Sequence, residues 1–198
     1  MSVDHNGGLH PNLSWLPDVF AEGHMPNTAE VSHMWRAIKR ITNFKTVTEI
    51  GFNSGHSSSI VMSLFDDVTV TSYDICLHPE TIANSAVVKE HFGDRFNFHP
   101  YHSYFLREDY LSGVTPVEKT DIILIDGSHR GFFVNSDAEL AEAVGFEWIL
   151  FDDYDFGSVR DQTHRDTMSF QNSWRYETRN NNGTPGVSSL ALFKKSLA

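Results

Sequence analysis

The sequence predicts an α/β fold, a parallel sheet with helices on both faces that closes with an antiparallel hairpin. Three observations lead there. Short β-branched or apolar runs alternate with helix-period segments from residue 28 onward, the pattern of successive βαβ units. Ile122–Ile125 is apolar at every position, as expected of a strand covered on both faces. Near the end, two strand-like runs flank Asn180-Asn-Asn-Gly183-Thr-Pro-Gly186, a dense turn signal between antiparallel strands.

Taken in order, Thr28 is an N-cap residue, and Val31, Met34, Trp35, Ile38 and Ile41 recur at helical spacing up to Phe44. Val47–Ile50 reads as the first strand of the repeat, followed by a glycine-bearing turn and an apolar helix over 57–65. Val68–Tyr73 is a second strand, Glu80–Phe92 a second helix and Phe96–His99 a short third strand. Ile122–Ile125 follows as the fourth strand. The next helix is 132–144, with Ala138, Leu140, Ala141 and Val144 inward, and Trp148–Phe151 is the fifth strand. A helix near Gln162–Phe170 then precedes the hairpin strands Trp174–Thr178 and Ser189–Phe193. Residues 1–27, with Trp15, Leu16, Val19 and Phe20 but no sustained period, read as an ordered arm or lid. The body of the domain is then 28–198.

With 198 residues, 40% hydrophobic and 21% charged, the chain is of single-domain size and ordinary globular composition. A domain of this length needs no disulfide or metal to fold. The net charge of −11 works against binding to nucleic acid or to an anionic membrane, both of which need excess Lys and Arg. Cys76 is the only cysteine, so an intrachain disulfide and zinc–thiolate clusters are excluded. The start has no basic-then-apolar leader, and no apolar run approaches the ~18–20 residues of a membrane span. A cytoplasmic location is expected, and a homo-oligomer stays open.

In open parallel sheets, ligands bind beyond the carboxyl ends of the strands. Here the five predicted parallel strands all end in polar, mostly acidic groups. After the first comes Glu49-Ile-Gly51-Phe-Asn53-Ser-Gly55-His-Ser57, where Gly51 and Gly55 permit a tight turn and close backbone approach. The helix that follows offers free N–H groups. The loop is neither G-x-G-x-x-G nor G-x-x-x-x-G-K-[ST], so the usual support for dinucleotides and ATP is missing. A plain strand-to-helix turn is the other reading of the loop.

Asp74 ends the second strand, where a carboxylate can accept hydrogen bonds from ribose hydroxyls. Asp126 and Asp152 end neighbouring strands about 4.8 Å apart, so with Asp153 they could share one hard divalent cation such as Mg²⁺. Neutralisation by Arg160 or Arg165 is the alternative. His129, three residues past Asp126, is a natural proton acceptor near neutral pH, or a surface histidine with no such role.

Glu49-Ile-Gly51-Phe-Asn53-Ser-Gly55-His-Ser57, followed by Asp126-Gly-Ser-His129 and Asp152-Asp153-Tyr154, resembles the motifs of class I S-adenosylmethionine-dependent methyltransferases. Within that class it is similar to the metal-dependent O-methyltransferases of the catechol and macrolide or sugar types. The resemblance covers roughly residues 28–195. It implies a Rossmann-like, doubly wound, seven-stranded sheet whose last strand is the lone antiparallel one. It places Glu49, Gly51, Asn53, Gly55 and Ser57 around the methionine part of the cofactor, Asp74 on the ribose, Ser103 near the adenine and Asp126 beside the cofactor. It also implies that Asp126, Asp152 and Asp153 hold Mg²⁺ or another divalent cation, that His129 is the general base, and that residues 1–27 cover the site. Two departures stand out. Asp153 replaces the Asn of the catechol enzymes, and Gly131-Phe132 stands where a Tyr is usual. The expected acceptor is a hydroxyl of a small molecule such as a sugar, diol or catechol. The alternatives are a metal-independent methyltransferase, or a catalytically silent protein that binds the cofactor or serves assembly.

Overall fold

A computed structural model of the chain describes residues 2–3, 9–17, 25, 27–154, 159, 170–179 and 185–195. The first two strands, β1 (Ser2–Val3) and β2 (Leu9–His10), pair only with each other. Helix α1 (Ala29–Thr42) begins where Thr28 accepts a hydrogen bond from the Val31 N–H at 3.3 Å. It ends at Asn43, which is in the left-handed region, and its stripe of Val31, Met34, Trp35 and Ile38 is fully buried.

The repeat then runs β3 (Thr46–Ile50), α2 (His56–Leu64), β4 (Thr69–Asp74), α3 (Thr81–Phe92), β5 (Phe96–Pro100), α4 (Ser103–Leu111), β6 (Ile122–Ile125), α5 (Gly131–Val144) and β7 (Trp148–Phe151). The closing hairpin is β8 (Phe170–Arg179) and β9 (Pro185–Lys195). The sheet order is β5-β4-β3-β6-β7-β9-β8. The pairs from β5 through β7 are parallel, while β9 is antiparallel to both β7 and β8. The predicted mostly parallel sheet with a C-terminal hairpin is therefore the architecture found. The helix read near 162–170 lies outside the described residues, except for Phe170, which opens β8. The turn residues 180–184 also lie outside them.

Strand alternation divides the core in two. Ile122 and Leu124 face the cluster built on α1, with Trp35, Phe44, Phe52 and Met62. Ile123 and Ile125 face the opposite cluster, with Leu140, Phe146 and Phe151. Helix α4 was not foreseen. Only Leu106 of its nine residues is buried, so it carries almost no apolar period. It starts where His102 Nδ1 accepts the Tyr104 N–H at 3.2 Å.

The expectation that the N-terminal arm covers the site meets a different arrangement in its described part. Leu13 and Leu16 enter the core, and the Trp15 ring stacks on His91 with centroids 3.9 Å apart. His91 lies in the last turn of α3, which leads to the amino end of β5, the end of the sheet away from the strand termini that carry the acidic residues. Val19 and Phe20 lie outside the described residues. No helix among the described residues is long and apolar enough to cross a membrane.

Candidate active site

The strand order reverses between β3 and β6, and a ligand crevice opens beyond that switch point in sheets of this kind. A cleft of about 560 Å³ lies there, within the size range of small-molecule sites. Of the residues expected at the site, Gly51, Asn53, Asp74, Ser103, Asp126 and His129 all line it.

Gly51 leaves β3 with φ +95° and donates its N–H to the Tyr73 carbonyl at 2.9 Å. A Cβ at this position would stand 2.1 Å from the Asp126 carbonyl oxygen, so a side chain is excluded by backbone. Gly55 adopts φ +86° at the start of α2, where a Cβ would meet the Phe52 ring at 2.5 Å.

Asp74 organises this loop. One carboxylate oxygen accepts the N–H groups of Phe52 and Asn53, each at 2.8 Å, and the other accepts the Cys76 N–H at 2.6 Å. Asn53 and Cys76 both have positive φ, 51° and 60°, and Asp74 holds the two turns that need it. Three of a carboxylate's roughly four acceptor positions are thus in use, so Asp74 has less capacity for a ligand diol than its position at a strand end suggests.

Glu49, Gly55 and Ser57, expected beside a ligand, are buried and are not among the residues that line the cleft. Glu49 is 1% exposed and accepts hydrogen bonds from the hydroxyls of Ser57, Ser58 and Ser72, the Ser58 bond measuring 2.5 Å. Burial pushes the Glu49 carboxyl up, the three hydroxyls oppose that, and Asp74 adds to it.

At the other side, β6 and β7 pair with Ile125 opposite Phe151, so Asp126 and Asp152 leave the sheet side by side. The Asp126 carboxyl is held well above the usual range, first by burial and then by Asp152, Glu49, Asp153 and Asp74. Asp153, at φ +48°, donates its N–H to Asp152 at 2.9 Å and turns its own carboxylate onto His129 Nε2 at 3.0 Å. The hydrogen bond to Asp153 raises the His129 imidazole above its ordinary value, burial opposes it, and the charges of Asp153 and Asp152 reinforce it. Among the described residues, no three His, Cys, Asp or Glu side chains converge as a metal cage. The expected trio of metal ligands is present as neighbours, with Asp153 committed to the histidine.

Sequence reasoning missed Ile75, Leu77, Tyr101, Arg130 and Phe133 on the cleft wall. It also missed Asp137, a carboxylate on the buried face of α5 with Val134, Ala138 and Ala141. The signal was a charged residue within an apolar helical stripe. Burial pushes its pKa up to about 7, with the Ser103 hydroxyl opposing. The folded state therefore keeps the proton longer than the unfolded chain. Its contribution to stability is fullest below about pH 4 and declines as pH rises to about 7. Replacing Asp137 by Asn should raise the unfolding midpoint at pH 8 by several degrees and change it little at pH 4, as measured by thermal melts. A larger stabilisation at pH 4 than at pH 8 would refute this account.

No protein-family model and no curated protein sequence matches the chain. Solved structures do. An O-methyltransferase from Bacillus cereus in complex with S-adenosylhomocysteine superposes with TM-score 0.64 at 12% identity, covering 88% of this chain and 84% of that one. An rRNA methylase from Streptococcus thermophilus gives 0.61 at 12% identity, covering 88% and 100%. TrmN from Thermus thermophilus gives 0.58 at 13% identity and covers 83% of this chain, which spans about half of TrmN, 48%. The chain has the fold shared by these methyltransferases.

Proposed function

We propose that this chain is an S-adenosylmethionine-dependent O-methyltransferase acting on a hydroxyl of a small molecule. The observation that carries the reading is convergence. The glycine turn at the switch point and a carboxylate-held histidine line one cleft of ligand size. The residues suit the cofactor, since the turn at Gly51 and the carboxylates of Asp74 and Asp126 line one cleft of its size, and Gly51 lets that turn pack directly on the Asp126–Gly127 backbone. When bound, the cofactor supplies an electrophilic methyl group, so the protein has to place the acceptor and take its proton. His129 faces the cleft and is positioned to accept that proton. Asp153 fixes the orientation of the imidazole and stabilises its charged form. Arg130 and Phe133 line the same side of the cleft and would hold the acceptor in line. The net charge of −11 favours a small acceptor over a nucleic acid.

The divalent ion implied by the sequence resemblance would fall to Asp126 and Asp152, with Asp153 as third ligand. With Asp153 on His129, the carboxylates as placed suit a proton-accepting pair better than an ion. A metal-independent reaction is the form that this pairing supports.

The test is thermal unfolding with S-adenosylhomocysteine, with and without Mg²⁺, followed by methyl transfer to a panel of diols, sugars and catechols. A ligand at 100 times its Kd should raise the midpoint by about 5–10 °C. Transfer unaffected by excess EDTA is the expected result. Transfer abolished by EDTA and restored by Mg²⁺ would put the ion back among the three carboxylates. Absence of any midpoint shift with S-adenosylhomocysteine would refute the cofactor assignment.

A further inference from the structure

We propose that the aromatic row shared by the starts of α4 and α5 is the contact surface of a two-fold dimer of this chain, in which each copy closes the rim of the other's cleft. This goes beyond the methyltransferase reading and does not depend on it.

Helix α4 is short of burial. Helices of this length are marginal in water by themselves, and only Leu106 of its nine residues is buried. Its outward face carries Tyr104, Glu108 and Leu111 at i, i+4 and i+7, with Phe105 beside them. Phe105 is 56% exposed, Leu111 58% and, at the start of α5, Phe132 64%. Of the phenylalanines whose side chains are described, Phe105 and Phe132 alone are exposed. The Tyr104 ring joins the two, its centroid 5.6 Å from Phe105 and 5.5 Å from Phe132. The row continues into the cleft wall. Phe132 packs on Phe133 at 5.3 Å and Phe105 on His102 at 5.4 Å, and both Phe133 and His102 line the cleft. Packing against one another holds these rings in place before anything docks, which lowers the entropic cost of burying them.

Area and charge both select a second copy as the occupant. The exposed parts of Tyr104, Phe105, Leu111 and Phe132 offer on the order of 400 Å² of apolar surface. Two such patches, at the roughly two-thirds apolar share of homodimer interfaces, reach the lower end of the ~1,200–2,000 Å² that stable complexes bury. Helices α4 and α5 run side by side in one direction. Tyr104 meets Phe132 near their starts, Arg107 pairs with Glu139 at 2.7 Å midway, and the Tyr110 hydroxyl donates to the Ala143 carbonyl at 3.4 Å near their ends. Arg130 therefore stands on the cleft side of the aromatic row, and Glu108 stands one helical turn along on the other side. Both are exposed, and Arg130 forms no ion pair with a described residue. A half-turn about an axis through the row exchanges its two sides, so Arg130 of each copy meets Glu108 of the other. The same half-turn lays the Leu111 end of one α4 over the cleft rim of the other copy. One surface that carries both signs on opposite sides of an apolar row is self-complementary.

The experiment is sedimentation equilibrium of the full chain from about 1 to 100 µM, on wild type, Phe132→Ser, Arg130→Glu, Glu108→Arg and the Arg130→Glu/Glu108→Arg double variant. Wild type should sediment as a dimer, at twice the chain mass of 22.4 kDa, with a Kd on the order of micromolar. Each single substitution should weaken the dimer by about tenfold or more. The double variant should recover wild-type association to within a few-fold, because exchanging the two charges restores the pair. All five positions of change are on exposed side chains, and a cooperative thermal melt checks that each variant is folded. A wild-type monomer at every concentration would overturn the proposal. A dimer that none of the single substitutions weakens would overturn it as well, by placing the contact elsewhere. Weakening by both charge substitutions without recovery in the double variant would overturn the two-fold pairing of Arg130 with Glu108.

Discussion

Replacing Gly51 by alanine is expected to destabilise the protein by roughly 3–5 kcal/mol and to abolish the midpoint shift produced by S-adenosylhomocysteine. Two costs combine. The residue sits at φ +95°, where an L side chain is strained, and its Cβ would fall 2.1 Å from the Asp126 carbonyl oxygen and 2.9 Å from Gly127 Cα. Those atoms are backbone at the end of a central strand. They cannot move without disturbing the pairing of Ile50 with Ile125 and the hydrogen bond from the Asp126 N–H to the Ile50 carbonyl at 2.9 Å. For a chain of this size the midpoint should fall by on the order of 10 °C. Gly93 is the matched control. It also has positive φ, 60°, but a Cβ there meets nothing within 4 Å, so Gly93→Ala should cost only the backbone strain, about 1–3 kcal/mol, and leave ligand binding unaffected. Equal effects of the two substitutions would show that conformation, and not the close approach to β6, sets the requirement.

Replacing His129 by glutamine should lower kcat by about 10²–10⁴ while leaving the affinity for S-adenosylhomocysteine within a few-fold of wild type. Glutamine can still bond Asp153, so the loop is retained and only proton acceptance is lost. Asp153→Asn should give a smaller fall, because the imidazole keeps a hydrogen-bond partner but loses the charge that stabilises its protonated form. Steady-state kinetics together with calorimetric binding separate these effects. A His129 variant within a few-fold of wild-type kcat would remove the residue from the chemistry. An Asp153→Asn loss larger than that of His129→Gln would point instead to a role for Asp153 apart from the histidine.

The main strands and most of the helices were legible because their signals are local. β6 and β7 are apolar at nearly every position, and α1 carries a continuous buried stripe with a capping residue in front of it. Helix α4 was not legible, since eight of its nine residues are not fully buried and its position depends on packing against α5. The candidate site divides along the same line. Glycines and acidic residues at strand ends are visible in the one-dimensional pattern, because α/β topology sends every such position to one edge of the sheet. Which of them face the cleft is another matter. Glu49 and Ser57 share the motif with Gly51, yet they form a buried network with Ser58 and Ser72, a partner set drawn from both α2 and β4.

By itself, then, the sequence determined the α/β alternation, the closing hairpin and the edge of the sheet at which the chemistry collects. Each of these follows from the period of apolar residues and the chain's connectivity. Tertiary structure alone decided the assignments within that edge. Asp74 is spent largely on its own loop, Asp153 faces His129, and Asp137 is buried against Gly127. The physical reason is that a carboxylate's role is set by the donors within about 3 Å of it. In this fold those donors come from residues distant in sequence, brought together only when the strands align.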